Sequence, residues 1–314
     1  MRPAVAAAAL LTALLGAACD RQTSLSASSR PVVRLVSDTT TTQALVAEYA
    51  RSLPNIDVRL VTGAAFMGTV MAIQRGDADM GFVLADVAYL ANVNVGRQPQ
   101  SGSPLRGMAA LQTAPVHLLA RRGMSGADVL HHKSLRVGTN GAFSSQTMLA
   151  QLVFGAYEFE DSSALNAPLP VDEIPRALAD GSIDVAFVTA YYPSQAVTNA
   201  AKAGAELLPI DNDLAERFRH KYPFVRRIVI PAHTYPGQEA AVRTIGVDRL
   251  LVCRSDLDEK LVNDLTRVFI EAVPRIFSSL RASSRTIDLD RASATPIPLH
   301  NGAALYYRER ELRP

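Results

Sequence analysis

Apolar and polar positions recur along this chain in two periods. Val32-Val33-Arg34-Leu35-Val36 is a short apolar strand. Thr41 to Ser52 follows with Leu45, Val46 and Tyr49 on one helical face. Ile56 to Leu60 alternates like a strand, Val70 to Gln74 reads as helix, and Gly76-Asp77-Ala78-Asp79 turns the chain into a strand at Met80 to Leu84. Asp86 opens the next helix. This βαβαβ order predicts a parallel sheet covered by helices. The order then returns: a strand at Ser134 to Gly138, a loop of small residues, a helix from Ser145 to Phe154, a helix at Ile174 to Leu178, and a turn at Asp180-Gly181 into the strand Val185 to Val188. Two Asp/Gly turns, each feeding an apolar strand, predict two similar α/β halves. Val116 to Ala120 is the expected first crossing between them and Gly246 to Cys253 the return. The helix Asp258 to Phe277 and the tail to Pro314 are expected to pack back on the first half. The expected architecture is a two-domain α/β clamshell with two interdomain crossings, residues 32–118 with 247–314 as domain I and 119–246 as domain II. In open α/β sheets ligands bind beyond the carboxyl ends of the strands, which here is the cleft between domains.

The first residues follow another pattern. A basic start, Met1-Arg2-Pro3, precedes an apolar run from Ala4 to Leu15, the small residues Gly16-Ala17-Ala18, and Cys19. That order reads as a signal peptide (1–18) ending in a lipobox, with Cys19 the lipidation site. The alternative is an ordinary signal peptide with an incidental Cys; Gly16 stands where a lipobox usually has Leu. The run is shorter than the roughly 20 residues a membrane-spanning helix needs. Residues 19–31, rich in Ser, are expected to be a flexible tether. The expectation is a periplasmic or cell-surface lipoprotein, held to a membrane through its N-terminal lipid.

Composition narrows the function classes. Removing 18 of 314 residues leaves 296, enough for two ordinary domains. A net charge of +2 argues against a nucleic-acid partner, which selects a strong basic excess. Of the two Cys, Cys253 lies in an apolar run and reads as a buried thiol. The six His have no metal-ligand spacing, and no G-x-S-x-G, G-x-x-x-x-G-K-[ST] or G-x-G-x-x-G segment occurs. No cofactor, no metal and no catalytic residues are expected, and the protein is not expected to be an enzyme.

The loops after strands carry the candidate chemistry. Ser37 to Thr42 joins a strand to a helix through hydroxyl residues, and so does Thr139 to Ser145 through Gly141, Ser144 and Ser145. Such hydroxyls cap helices; beside free N–H groups at a helix N-terminus they also make an anion site. Two loops, one per domain and facing each other, would form a pocket for an acid. Thr39 and Thr40 would hold one acidic end, and Gly141, Ser144 and Ser145 the other. Phe66, Asp86 and Tyr191 would line the walls. Asp86 either accepts from a ligand amine or caps its helix. Tyr191 and Tyr192, before Pro193, sit in a loop as pocket wall or as core. Thr234-Tyr235-Pro236-Gly237-Gln238 is a turn, and Tyr235 and Gln238 are candidates for the site, the hinge or a partner-facing surface.

Several of these segments together resemble the TAXI class of solute receptors of tripartite ATP-independent periplasmic (TRAP) transporters. They are Gly76-Asp77-Ala78-Asp79 with Asp86-Val87-Ala88-Tyr89, Pro115-Val116-His117-Leu118, Val137 to Gly141 with Ser144-Ser145, Asp180 to Asp184, Thr234 to Gln238 with Thr244 to Val247, and Pro296 to His300 with Gly302-Ala303 and Tyr306-Tyr307. The resemblance runs from about Val32 to Glu309. It implies a periplasmic-binding-protein (Venus flytrap, type II-like) clamshell that hands an amino acid or organic acid to the membrane subunits of a cation-coupled TRAP permease. The chain departs from the family pattern at Thr39 to Thr42 and at Ala64-Ala65-Phe66, in place of Gly-rich segments. It departs again at Leu84, in place of Gln, and at Tyr191, in place of a small residue. A narrower, more apolar pocket and a changed specificity follow. Two other roles stay open on sequence: a ligand-sensing module docked to a membrane signalling protein, and an enzyme on a small acid.

Overall fold

The computed structural model describes residues 30–37, 40–62, 67–97, 105–131, 135–139, 145–156, 167–210, 212–279 and 288–312. The apolar run Val32–Ser37 forms β1, and Asp57–Thr62 forms β2 in parallel register with it, Val32 opposite Asp57. α1 (Thr40–Arg51) connects them, and α2 (Met67–Gln74) leads to β3 (Met80–Leu84), parallel to β1 on its other side. α3 (Ala85–Arg97) then precedes β4 (Leu105–Ala120). The second half comprises α4 (Gly126–His131), β5 (Val137–Thr139), α5 (Ser145–Ala156), β6 (Ala167–Pro168), α6 (Ile174–Ala179), β7 (Val185–Thr189), α7 (Gln195–Lys202), β8 (Glu206–Leu208), α8 (Asn212–Lys221) and β9 (Val225–Ile230). The chain returns through β10 (Val242–Arg254) and ends in α9 (Glu259–Ser279) and α10 (Asn301–Glu311).

The sheet runs β2-β1-β3-β10-β4-β7-β5-β6, with β8 added on β4 and β9 on β10. The α/β class and the two crossings read from the sequence are present. The crossings are longer than expected. Val116–Ala120 is only the second part of the 16-residue β4; its first part, Leu105–Pro115, pairs with β10. That part is buried on both faces, so it lacks the alternation by which a half-exposed strand is read. β4 changes partner at Pro115/Val116, and β10 leaves β9 at Val247 to pair with β3 from Arg249. β5 also begins later than expected, at Val137.

Because β3 and β7 are each antiparallel to one long central strand, their carboxyl ends point at each other. Leu84 at the end of β3 lies beside Arg249, and Thr189 at the end of β7 lies beside Val116. The middle of the sheet is therefore where both halves present their strand ends.

The two faces of the sheet are packed differently. On one face a single core crosses the boundary: Val36, Val83, Leu250 and Val252 of the first half join Val185 and Phe187 of the second, with Leu118 and Phe224 among them. Tyr89 of α3 packs 5.5 Å from Phe224, centroid to centroid. On the other face the core is split. Val33, Leu35, Met80, Phe82 and Leu251 pack under α1, α9 and α10, while Ala186, Val188 and Val197 form a separate cluster around α6 and α7. Pro31–Pro314 accordingly forms one compact unit.

The two Asp/Gly turns belong to a duplicated latch. Gly76 and Gly181 adopt φ of +78° and +75°, where glycine carries no Cβ penalty. Asp79, after the first turn, accepts from the backbone N–H of Arg34 at 2.8 Å and from its guanidinium at 2.8 and 3.1 Å. Asp184, after the second, does the same with Arg136 at 3.1, 2.7 and 2.9 Å. Each carboxylate also meets a second arginine next to a long strand, Arg254 for Asp79 and Arg121 for Asp184. Reading the Asp77/Asp79 pair as turn and strand-entry residues thus identified the place and missed the ion pair.

Candidate functional site

The central strands put charge where the sheet is split. Along β10 the core-facing parity changes, from Ile245 and Val247 to Leu250 and Val252, and the pairing with β4 shifts between Asp248 and Leu250. A bulge of this kind re-aims side chains. It leaves both Asp248 and Arg249 off the shared core face. Asp248, 3% exposed, accepts from Thr113 Oγ1 at 2.6 Å and from Arg226 Nε at 2.9 Å. Arg226 also donates to the carbonyl of Ala294 at 3.0 Å, tying β9 to the C-terminal segment. Arg249 is half-buried, and its Nε donates to the hydroxyl of Tyr191 at 3.3 Å. Arg249 is registered with Leu84 of the first half, whereas Tyr191 follows β7 of the second, so this contact spans the two.

Around this pair lie buried polar atoms with no hydrogen-bond partner among the described residues. Gln112 Oε1 on β4, Thr189 Oγ1 at the end of β7 and Gln146 Oε1 on α5 are all in that state. Gln146 Nε2 reaches toward the Thr189 carbonyl at 3.5 Å. Buried polar groups are normally satisfied; three such atoms on β4, the end of β7 and the start of α5 make this region a candidate for binding a polar molecule. Thr139 and Thr147 bond hydroxyl to hydroxyl at 2.8 Å and fix α5 against β5. A cavity of about 360 Å³ flanks the centre, lined by Leu111, Thr113, Tyr192, Arg226, Asp248 and Arg291 among others. A larger one, about 570 Å³, opens at the opposite ends of β1 and β2, beside the ion-paired Lys260, Asp264 and Arg267.

The expected site residues fall in different places. Cys19, Thr39, Phe66, Gly141 and Ser144 lie outside the described residues. Thr40 and Ser145 begin α1 and α5. Asp86 is fully buried, in the first turn of α3 rather than at its N-cap, and its Oδ1 accepts from the Val87 N–H at 2.9 Å. An acidic side chain there is favoured by the helix dipole. Tyr191 stands at the centre. Gln238 is buried and engaged in its own turn, with Oε1 accepting from Tyr235 N at 3.2 Å and Nε2 donating to the carbonyls of Pro231 and Ala240 at 2.9 and 3.0 Å.

Tyr235 is 4% exposed, and its hydroxyl bonds His117 Nε2 at 2.8 Å and accepts from the Ser194 N–H at 3.1 Å. His117 is fully buried on β4. Its Nδ1 faces the Val188 carbonyl at 3.3 Å, so Nδ1 carries the proton and Nε2 accepts from Tyr235. Burial lowers the His117 pKa to about 4, so the ring is neutral at neutral pH. Burial raises the Tyr235 hydroxyl to about 12.

Sequence reasoning missed Arg249, Gln112, Gln146 and His117. One signal was present: Asp248-Arg249 is a charged pair set between the apolar runs Ile245–Val247 and Leu250–Cys253, a placement that needs partners.

The fold has distant likenesses among solved structures. A ligand-binding component of an ABC-type import system from Staphylococcus aureus, solved with zinc bound, is 15% identical with a TM-score of 0.46, covering 87% of this chain and 84% of that one. The alkanesulfonate-binding protein SsuA from Xanthomonas axonopodis pv. citri, bound to MOPS, is 14% identical with a TM-score of 0.46, covering 92% and 86%. A nutrient binding protein from Burkholderia cenocepacia, bound to methionine, is 14% identical with a TM-score of 0.43, covering 81% and 98%. A family model decides the relationship at the level of sequence: residues 43–310, most of the chain, match it, and the protein belongs to the NMT1-like family.

Proposed function

We propose that this protein is an extracytoplasmic solute receptor that captures a small carboxylate-containing molecule between its two halves and delivers it to a TRAP-type cation-coupled permease. The observation that carries the reading is Arg249, a half-buried guanidinium at the meeting point of two sets of strand ends, with Tyr191 reaching it from the other half. A guanidinium matches a carboxylate in charge and in bidentate geometry. Leu84, partly exposed and registered with Arg249, offers an apolar surface beside the charge. That combination favours an acid with an apolar portion. Thr39, Thr40, Gly141, Ser144 and Ser145 would complete the walls from the loops that open α1 and α5, and Phe66 and Asp86 would narrow them. The N-terminal leader and Cys19 support a lipid-anchored location outside the cytoplasm, and the TAXI-like segments support the TRAP partner.

The test is a thermal-stability screen of amino acids, keto acids and dicarboxylates. A ligand at about 100 times its Kd adds about 2.7 kcal/mol to the folded state. The Arg249→Gln variant should bind the responding acid about 10- to 100-fold more weakly, the loss of a charge-assisted hydrogen bond. Equal affinity in this variant overturns the assignment of the site, and silence across the acid panel overturns the ligand class.

A further inference from the structure

Tyr191 lies in a five-residue connection, Ala190 to Ser194, between β7 and α7. Both ends of that connection are tied to the protein. At one end the Ala190 N–H donates to the Pro115 carbonyl at 3.1 Å. At the other the Ser194 N–H donates to the Tyr235 hydroxyl at 3.1 Å. That hydroxyl is in turn oriented by His117, whose Nε2 accepts its hydrogen bond at 2.8 Å, while Gln238 braces the turn that presents Tyr235. Tyr235 is 4% exposed and His117 0%. Two buried polar side chains, neither reaching the site, thus hold one end of the segment that carries Tyr191.

We propose that His117 and Tyr235 are positioning residues: they fix Ala190–Ser194 and so hold the Tyr191 hydroxyl at Arg249 across the boundary between the two halves. The proposal rests on Arg249 and Tyr191 being the ligand-facing pair. A buried hydroxyl shared between an imidazole and a backbone N–H leaves two groups unpaired when it is removed. Freed at Ser194, the segment would sample positions in which Tyr191 no longer meets Arg249, and ligand affinity would fall without any change in the groups that touch ligand.

The experiment is hydrogen exchange read by mass spectrometry on the whole chain without ligand, paired with titration of L-glutamate and succinate as probes. Tyr235→Phe is expected to speed exchange of the Ala190–Ser194 amides about tenfold, the equivalent of one lost buried hydrogen bond. Amides of β1 and β3 should stay as they are. His117→Gln, which keeps an acceptor for the hydroxyl, should exchange near the parent rate, whereas His117→Leu should follow Tyr235→Phe. Unchanged exchange in Tyr235→Phe overturns the proposal. So does acceleration spread evenly through β7 and α7, which would mark a residue of general stability. Where the parent binds a probe, Tyr235→Phe should raise its Kd about tenfold; an unchanged Kd overturns the link to the site. Where the parent binds neither probe, the exchange pattern decides the positioning role by itself, and the acid panel decides the receptor reading separately.

Discussion

Asp184 is 4% exposed at the entry to β7, with Arg136 and Arg121 on its carboxylate. The hydrogen bonds from Arg136, opposed by burial, hold its carboxyl well below the usual carboxylate range. Asp79, with Arg34 and Arg254, is lowered too; there burial opposes the shift and the Arg34 bonds outweigh it. Both folded-state pKa values lie below the unfolded value of about 3.9, so these groups contribute stability that is complete above that pH and is lost progressively as pH falls from there through the folded-state values. The arginines are partly exposed, which reduces the worth of each pair. Asp184→Asn should still destabilise by about 2 kcal/mol near pH 7, chiefly by leaving the Arg136 backbone N–H and the two guanidinium groups poorly matched. Urea melts of variant and parent should show that gap narrowing below about pH 4, where the unfolded parent's carboxylate takes up a proton that the folded one still excludes; a gap constant with pH would refute the ionic account.

At the scale of elements, α10 meets α9 through a glycine. A Cβ on Gly302 would stand 2.1 Å from the Glu259 carbonyl oxygen and 2.8 Å from Asn263 N, both backbone atoms that cannot swing aside. Gly302→Ala should cost about 1–3 kcal/mol, as overpacking does, despite alanine's better helix propensity. A thermal melt equal to the parent's would mean that α10 can shift. The same scale explains what the sequence disclosed. β1, β3 and β7 were legible because short apolar runs follow turn residues, and the repeat of the Gly/Asp turns revealed two halves. β9 and the first part of β4 were not, since a central strand covered on both faces and a strand with two adjacent arginines give no period-two signal. Asp86 and Tyr191 stand out as candidates in the sequence by their positions after strands. Arg249 was hidden because its partner is far away in sequence, and His117 because a buried histidine carries no local signature. Only the fold brings residues 117, 191, 235 and 249 together.

For the whole molecule, the shared core decides cooperativity. Val36 and Phe187, from opposite halves, belong to one cluster, and α3 packs on α5 and, through Tyr89, on Phe224. Calorimetry should therefore give one transition whose calorimetric and van't Hoff enthalpies agree. Two resolved transitions would mean that the halves melt independently and that the shared face is weaker than its burial implies. The other face, which holds Arg249, lacks that continuous packing; were the halves to open there, the shared core would be the hinge.

The placement of β10 has one more consequence, for biogenesis. It lies between β3 and β4 in the sheet, yet follows both by more than a hundred residues in the chain. As the polypeptide emerges, β1, β2 and β3 stand as an unfinished sheet with an open edge until Arg254 arrives, and their outer cover waits for α9 and α10. The second half has its own strands and helices well before that. The half begun first is thus completed last, which leaves an apolar edge exposed during synthesis and makes C-terminal truncation damaging to the N-terminal strands.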